Sequence, residues 1–329
     1  MTMPITPLQR ATFNTNTLMA EHPPVLHDPN KQVVFRVACP PGSTHAGDLA
    51  YSRWPAFPLP AAVSTADAVQ RVVVHEGIYD YAPASGVEDG AEWHVNFADP
   101  RLFVSYGVGL FAQDEMQVAE HPALGALREA LGVRQWTART MEKGQPTPVL
   151  VKGVERRCRV AVAPSAEEGR PNGLYGNAFM MAKADVVRRA TVRLEPPTIT
   201  NVIAIAAPYG MSGRYHARDI EFALVTAYTG FRAAVQESDG QPAVVHTGYW
   251  GCGAFGGNRV LMSMLQVLAA ELAGVERLVF HTVTTPGRAE FEQAMEKLQR
   301  ELPGSTVNTP LALERIAGMG LRWGASDGS

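Results

Sequence analysis

One glycine-rich segment constrains the fold more than any other part of the chain: HTGYWGCGAFGGN, positions 246–258. The segment contains five glycines, begins within the β-branched run AVVHTG and leads into an apolar helical pattern after Asn258. Glycine permits positive φ angles and lets backbone N–H groups approach a ligand closely. The N-terminus of the following helix adds partial positive charge at the same place. The segment therefore predicts a strand–loop–helix unit whose loop binds a phosphate or diphosphate.

Strands and helices alternate around this loop. The apolar run NVIAIAAP (201–208) predicts a buried strand, and ARDIEFALVTAYTGF (217–231) has the spacing of a helix. Earlier in the chain, QRVVVHE (70–76) and EWHVNF (92–97) predict two more strands. We expect an α/β fold in which helices cover a mixed central sheet. Residues 1–65 are rich in proline and alanine and lack periodicity, which predicts an N-terminal arm and accessory segment ahead of a domain at 66–329.

Charge and cysteine content exclude several classes of protein. A formal net charge of −3 gives no overall attraction to nucleic acid or to an acidic membrane. The cysteines at 39, 158 and 252 have no CxxC spacing, which argues against a disulfide framework and a zinc site. Neither a signal-peptide pattern nor an apolar run of membrane-spanning length is present. We expect a cytoplasmic protein without membrane association, metal or other cofactor, and a monomer by default.

The loop also satisfies the GxGxxG pattern of dinucleotide-binding folds, through Gly251, Gly253 and Gly256. That fingerprint requires an acidic residue about 20 positions later, at the end of the next strand. Here Glu271 falls inside the predicted helix, and the strand ends in His281. The pattern therefore disfavours a Rossmann site. A tight turn without a ligand is a second alternative, although five glycines exceed what a turn needs.

The segment TGYWGCGAFGG closely resembles the TGNWGCGAFGG-type loop that wraps the ADP-ribose diphosphate in poly(ADP-ribose) glycohydrolases. Further stretches match that family in the same order. VNFAD (95–99) resembles VDFAN, QDE (113–115) resembles the catalytic QEE, and AYTGF (227–231) resembles AYCGF. The resemblance covers roughly residues 70–300. It implies a macrodomain-like three-layer sandwich with a mixed central β-sheet and helices on both faces.

This resemblance implies roles for individual residues. Glu115 takes the place of the glutamate that protonates the departing ribose oxygen and then activates water. That role needs a carboxyl protonated at the start of the cycle, so we expect burial to raise its pKa. Asp114 takes the place of the ribose-orienting glutamate, with a side chain one methylene shorter. Further ligand contacts are implied for Asn96, Asp99, Gln113, Gly248, Gly251, Cys252, Gly253, Ala254, Phe255 and Gly256.

The adenine of the ligand is expected to stack on an aromatic ring that follows the IAIAA strand. Tyr215 lies at nearly the family's distance from that strand, and Tyr209 is the competing candidate. Phe255 is expected to line the ribose pocket, with Trp250 packed beneath the loop. On the adenosine side, His281 and Val283 stand where the family carries phenylalanines.

The sequence departs from the family where a GGG segment should precede the carboxylates. Phe103, Val104 and Ser105 occupy those positions, and Gly107 and Gly109 follow slightly later. Three alternatives follow: the later glycines replace GGG in a shifted loop, the site accepts another aglycone, or catalysis has been lost.

Two functional hypotheses result. The first is a glycohydrolase that removes ADP-ribose from a protein, a nucleic acid or poly(ADP-ribose), with Glu115 as general acid and base. The second is an inactive module that reads ADP-ribose. Glu115 favours the first, and the missing GGG favours the second. The lack of basic charge argues against a long polymer and for a mono-ADP-ribosylated target.

Overall fold

The computed structural model describes residues 5–210, 212–303 and 306–326. An eight-stranded sheet, in the order β1-β2-β8-β9-β5-β10-β11-β4, forms its centre. Two small two-stranded sheets pair β12 with β3 and β6 with β7. The strands are β1 Gln9–Asn14, β2 Asp48–Arg53, β3 Ala62–Ser64, β4 Val72–His75, β5 Ala91–Phe97, β6 Met141–Glu142, β7 Gln145–Pro146, β8 Val149–Val160, β9 Thr191–Ile205, β10 Ala243–Gly248, β11 Arg277–His281 and β12 Thr306–Asn308.

Helices cover both faces of the central sheet. One face packs against α3, α8, α9, α10 and α11, and the other against α1, α2, α4, α5, α6 and α7, each with its own apolar core. This three-layer mixed sandwich confirms the predicted fold class. The helices are α1 Thr15–Glu21, α2 Pro29–Ala38, α3 Thr65–Gln70, α4 Gln113–Glu120, α5 Pro122–Val133, α6 Ala178–Met181, α7 Ala184–Ala190, α8 Ala217–Glu237, α9 Arg259–Ala273, α10 Thr285–Glu301 and α11 Thr309–Gly318.

Strand pairing opens a gap in the middle of the sheet. From β9 to β4 all neighbouring strands are parallel, and from β1 to β9 they are antiparallel. The β5–β9 ladder runs to Phe97, but the β5–β10 ladder ends at His94 and His246. Strand β10 therefore leaves β5 before the carboxyl end of β5. Ligands of open parallel sheets bind at such divergent carboxyl ends.

The N-terminal region differs from its prediction. Strand β1 pairs with β2, and β2 pairs with β8, so this region forms one edge of the central sheet. Helices α1 and α2 belong to the second core. The prediction of an N-terminal arm is therefore wrong for these strands and helices, while the domain boundary at residue 65 stays a prediction. Within the described parts of the chain, no helix is long and apolar enough to cross a membrane.

Candidate active site

The glycine loop joins β10 to α9 as predicted. The Asn258 side chain accepts a hydrogen bond from the Leu261 N–H at 3.1 Å and caps α9. Gly251 has φ +75°, and a Cβ there would lie 2.4 Å from the Ala207 Cβ. The buried Trp250 donates its indole N–H to the Ile205 carbonyl at 3.0 Å, which confirms that it packs beneath the loop. The loop is therefore held tightly against the end of β9.

Free backbone donors lie at the tip of this loop. The Gly256 and Gly257 amides donate to the carbonyls of Gly253 and Gly251. By contrast, the amides of residues 253–255 donate to no acceptor in the described parts of the chain. Three successive N–H groups beside a helix N-terminus favour an anion. This geometry fits the diphosphate that the sequence predicted there.

Two buried carboxyls lie in the first turn of α4. Asp114 is 6% exposed and Glu115 is 4% exposed. Glu115 accepts from the Ala112 N–H at 3.0 Å, and Asp114 accepts from the Asn96 side-chain amide at 3.1 Å. Burial raises the pKa of both carboxyls, and the neighbouring charge of Glu115 raises that of Asp114 further. The raised pKa of Glu115 is in the direction expected for a general acid.

The Gln113 side chain fills the gap that β10 leaves along β5. Its oxygen accepts from the Phe97 N–H at 2.7 Å, and its amide nitrogen donates to the Val95 carbonyl at 3.1 Å. The Tyr79 hydroxyl lies 3.1 Å from the same carbonyl and 3.2 Å from that of His246. Gln113 thus replaces a neighbouring strand and anchors α4 to β5. The expectation that Gln113 contacts ligand stays a prediction.

Asn96 near the end of β5 and Asp99 just after it lie at the same edge of the sheet. Asn96 is fully buried, and its side-chain amide donates to Asp114. The Asp99 side chain is partly exposed and accepts a hydrogen bond from the Arg101 N–H at 2.8 Å. Asp99 therefore stabilises the turn at the mouth of the site.

The GGG positions of the family are occupied here by packed side chains. Phe103 is fully buried, with φ +52°. A Cβ on Gly107 would lie 2.4 Å from the Val25 carbonyl oxygen, and one on Gly109 would lie 2.8 Å from the Met180 side chain. Protein atoms fill the space beside both glycines. They therefore offer no bare backbone to a ligand, which argues against the shifted-loop alternative.

The two candidate adenine-stacking tyrosines have different surroundings. The Tyr215 ring is 6% exposed and stacks on Trp323, with 3.9 Å between ring centroids. Its hydroxyl accepts from the Asn258 N–H at 2.9 Å. Tyr209 is 49% exposed, and its ring centroid lies 5.2 Å from that of Phe255. The structure therefore gives Tyr215 a protein partner and leaves Tyr209 as the accessible ring beside the loop.

Lys31 is a buried cation that the sequence did not reveal. It lies on α2 with 0% exposure, and its Nζ donates to the Tyr106 carbonyl at 2.9 Å. Burial lowers its pKa to about 8, while the charges of Glu115 and Asp114 act in the opposite direction. Its position in an amphipathic helix, PNKQVVFRVA, was the available signal, but that segment was predicted as an arm.

His281 belongs to a buried group of histidines on the sheet face that carries Asn96. Its Nε2 lies 3.1 Å from the His246 Nδ1, and the His246 Nε2 lies 2.6 Å from a Glu92 carboxylate oxygen. The His94 ring stacks on His246 at 4.3 Å. The Nε2 of His281 is therefore engaged within this histidine group, while a contact of His281 with adenosine stays a prediction. Among the described residues, no group of three or more His, Cys, Asp or Glu side chains is placed to hold a metal.

Comparison with protein families matches part of the chain. Residues 170–290 match the family model described as poly(ADP-ribose) glycohydrolase, macro domain fold. This match agrees with the resemblance of the glycine loop and includes the whole of it. The segment with Asp114 and Glu115 lies outside it. No curated protein matches the chain.

Solved structures of poly(ADP-ribose) glycohydrolases are similar at low identity. One from Thermomonospora curvata has 15% identity and a TM-score of 0.46, covering 85% of this chain and 98% of that chain. A second from that organism, bound to the inhibitor ADP-HPD, has 16% identity and a TM-score of 0.45 with the same coverage. One from Deinococcus radiodurans, in complex with ADP-ribose, has 12% identity and a TM-score of 0.42, covering 88% and 94%.

Proposed function

Because residues 170–290 match the poly(ADP-ribose) glycohydrolase family model, we propose that this protein binds ADP-ribose and hydrolyses its bond to a modified macromolecule. One observation carries the proposal. Two buried carboxyls of raised pKa lie at the start of α4, on the sheet edge that also carries the glycine loop with its free amides. Hydrolysis of an ADP-ribosyl bond requires two parts: hydrogen-bond donors that bind the diphosphate, and an acid–base pair.

The ligand is proposed to lie along the carboxyl ends of β5 and β10. The amides of residues 253–255 and the α9 N-terminus bind the diphosphate. Phe255 lines the ribose, and the exposed Tyr209 stacks on adenine in place of Tyr215. The remaining loop positions, Gly248, Gly251, Cys252 and Gly256, shape the backbone that presents these amides.

Hydrolysis then uses the carboxyl pair in two steps. As the glycosidic C–O bond breaks, Glu115 gives its proton to the departing oxygen, and positive charge develops on the ribose. The Glu115 carboxylate next takes a proton from water, whose oxygen bonds to the anomeric carbon, so the acid is regenerated. Asp114, held by Asn96, orients the ribose.

A reader of ADP-ribose without turnover is the second candidate. The observation that favours it is the buried Phe103, which fills a position where the family has a glycine.

Turnover on a panel of substrates separates the two candidates. ADP-ribose release would be measured from mono-ADP-ribosylated proteins, ADP-ribosylated nucleic acid and poly(ADP-ribose), with wild type, Glu115→Gln and the exposed control Glu221→Gln. We expect release by wild type and control, strongest from a mono-ADP-ribosylated target, and about 10²–10⁴-fold less by Glu115→Gln. Calorimetric affinity for ADP-ribose should be similar in all three proteins. Full activity in Glu115→Gln contradicts the mechanism, and binding without release from any substrate favours the reader.

A further inference from the structure

Lys31 lies in a closed pocket behind the carboxyl pair. Its Nζ is 5.2 Å from the centroid of the Phe111 ring and 6.0 Å from that of Phe179, and these two rings stack on each other at 4.0 Å. Its hydrogen bond to the Tyr106 carbonyl fixes the ammonium inside the loop that leads into α4. Among the described residues, the bond of this Nζ is to that backbone carbonyl, and the carboxylates of Glu115 and Asp114 act on it only through their charge. Lys31 therefore acts on the pair through space rather than by direct contact.

The neighbouring helices hold this arrangement in place. The Asp28 side chain caps α2 by accepting from the Lys31 N–H at 2.9 Å. The Asn30 side-chain amide donates to the carbonyls of Phe179 and Ala182, at 2.8 and 2.9 Å. Helix α2 is thereby fixed against the segment that carries Phe179. These bonds fix the backbone from which the Lys31 side chain enters the pocket.

Charge balance limits the protonation states of this region. Buried Asp114, Glu115 and Lys31 would carry a net charge of −1 if both carboxyls were ionised, and +1 if both were protonated. An uncompensated charge in a buried region is expensive. As long as Lys31 is an ammonium, the neutral combination has one carboxylate and one protonated carboxyl. Two further carboxylates act on the group from outside: Asp28 at the start of α2 and Asp99 at the mouth of the site.

We propose that Lys31 is a positioning residue that keeps one carboxyl of the Asp114–Glu115 pair ionised while the other retains a single proton. This inference rests on the proposed function, because that proton is the one donated to the departing oxygen. A doubly ionised pair has no acid for the first step. A doubly protonated pair has no carboxylate to stabilise the developing positive charge on the ribose. Lys31, supplied by the N-terminal region, thus sets the protonation state of residues on α4.

Two readouts test the proposal, one of which needs no turnover. Carbon-13 NMR would follow the carboxyl titrations of Asp114 and Glu115 in wild type, Lys31→Met and Lys31→Arg, assigned with Asp114→Asn and Glu115→Gln. In parallel, the pH profile of kcat/KM would be measured. Lys152→Met is the matched control, because Lys152 also donates to a backbone carbonyl, that of Glu237 at 3.0 Å, but lies on β8 near Asp239.

Removing the cation should move the carboxyl titrations to higher pH. In Lys31→Met we expect an upward shift of at least about one pH unit, which corresponds to roughly a tenfold change in the proton-binding constant. The acidic limb of the kcat/KM profile should shift with it. In wild type the alkaline limb should begin near pH 8, the pKa of Lys31. Lys31→Arg should extend that limb to higher pH, because a guanidinium remains charged there. Lys152→Met should change neither readout.

Each negative outcome has a separate meaning. Unchanged carboxyl titrations in folded Lys31→Met overturn the role of Lys31, whatever the activity. If Lys31→Met does not fold, an alkaline limb in Lys31→Arg identical to wild type overturns it instead. If the titrations shift in Lys31→Met but the wild type releases ADP-ribose from no substrate, the proposed function is refuted and the electrostatic inference stays intact.

Discussion

Gly251 shows how closely one position in the glycine loop is constrained by its surroundings. Its φ of +75° lies in the left-handed region, and the space for a Cβ is taken by Ala207 at the end of β9. The loop is therefore shaped from beneath by the end of β9 and by Trp250. A methyl group at Gly251 has to push the loop outward.

We expect Gly251→Ala to lower ADP-ribose affinity at least about tenfold, equivalent to 1.4 kcal/mol. The left-handed backbone should also destabilise the fold by about 1–2 kcal/mol. Calorimetry and urea unfolding would measure the two effects. The control is Gly132→Ala in α5, where a Cβ meets nothing within 4 Å. It should raise stability by about 0.5–1 kcal/mol and leave affinity unchanged. Equal affinities in the two variants would contradict the role given to the loop.

At the scale of the elements, α4 is fastened at both ends. Gln113 ties its first turn to β5, and Glu120 ties its last turn to β8. Glu120 accepts from Arg156 Nε at 2.8 Å and from the Val160 N–H at 3.0 Å, and both charged side chains are buried. The position of the carboxyl pair therefore depends on an ion pair at the far end of the helix.

Glu120→Ala should destabilise the protein by about 3–5 kcal/mol, because Arg156 is left buried without its partner. Asp185→Ala is the comparison, since its ion pair with Arg189 at 2.6 Å is exposed and screened by solvent, and its loss should change stability far less. Chemical denaturation of both variants provides the values. Similar losses of unfolding free energy in the two variants would mean that Glu120 and Arg156 do not anchor α4.

Local sequence signals predicted the elements that surround the glycine loop. Asn258 caps α9 and Gly274 ends it with φ +73°, as their residue types indicated. The N-terminal strands escaped prediction because β2 pairs with β8, about a hundred residues later, and short strands show weak periodicity. Lys31 was missed because the helix that carries it was assigned to the N-terminal arm, and its burial depends on packing against residues distant in sequence. The burial of Tyr215 depends on Trp323, whose approach no local pattern reports.

At the scale of the whole molecule, the histidine group joins strands from distant parts of the sequence. His94, His246 and His281 lie on β5, β10 and β11, beneath the segment that carries Tyr79. Burial lowers the pKa of His281 to about 3. The unfolded chain binds this proton at a pKa of about 6.5. The contribution of the neutral His281 to folding stability is therefore fully present above pH 6.5, and it is lost as the pH falls from 6.5 toward 3.

Substituting His281→Phe should remove that pH dependence. As the pH falls below 6.5, the unfolding free energy of the wild type should decrease relative to that of the variant by up to about 1.4 kcal/mol per pH unit. Urea unfolding at pH 7, 6, 5 and 4 tests this. Val279→Ala, two residues earlier on β11, should give a difference that is constant with pH. A constant difference for His281→Phe would show that its protonation is not linked to folding.

The order of strands in the sheet also has a consequence for synthesis on the ribosome. Strand β5 pairs with β9 and β10, which follow it by about 100 and 150 residues. At a translation rate of roughly 5–20 residues per second, β5 waits on the order of ten seconds for its second neighbour. Both edges of β5 are open until β9 has been made, and one edge stays open until β10 follows. The nascent chain is therefore most exposed to aggregation, and to chaperone binding, before the glycine loop has been made.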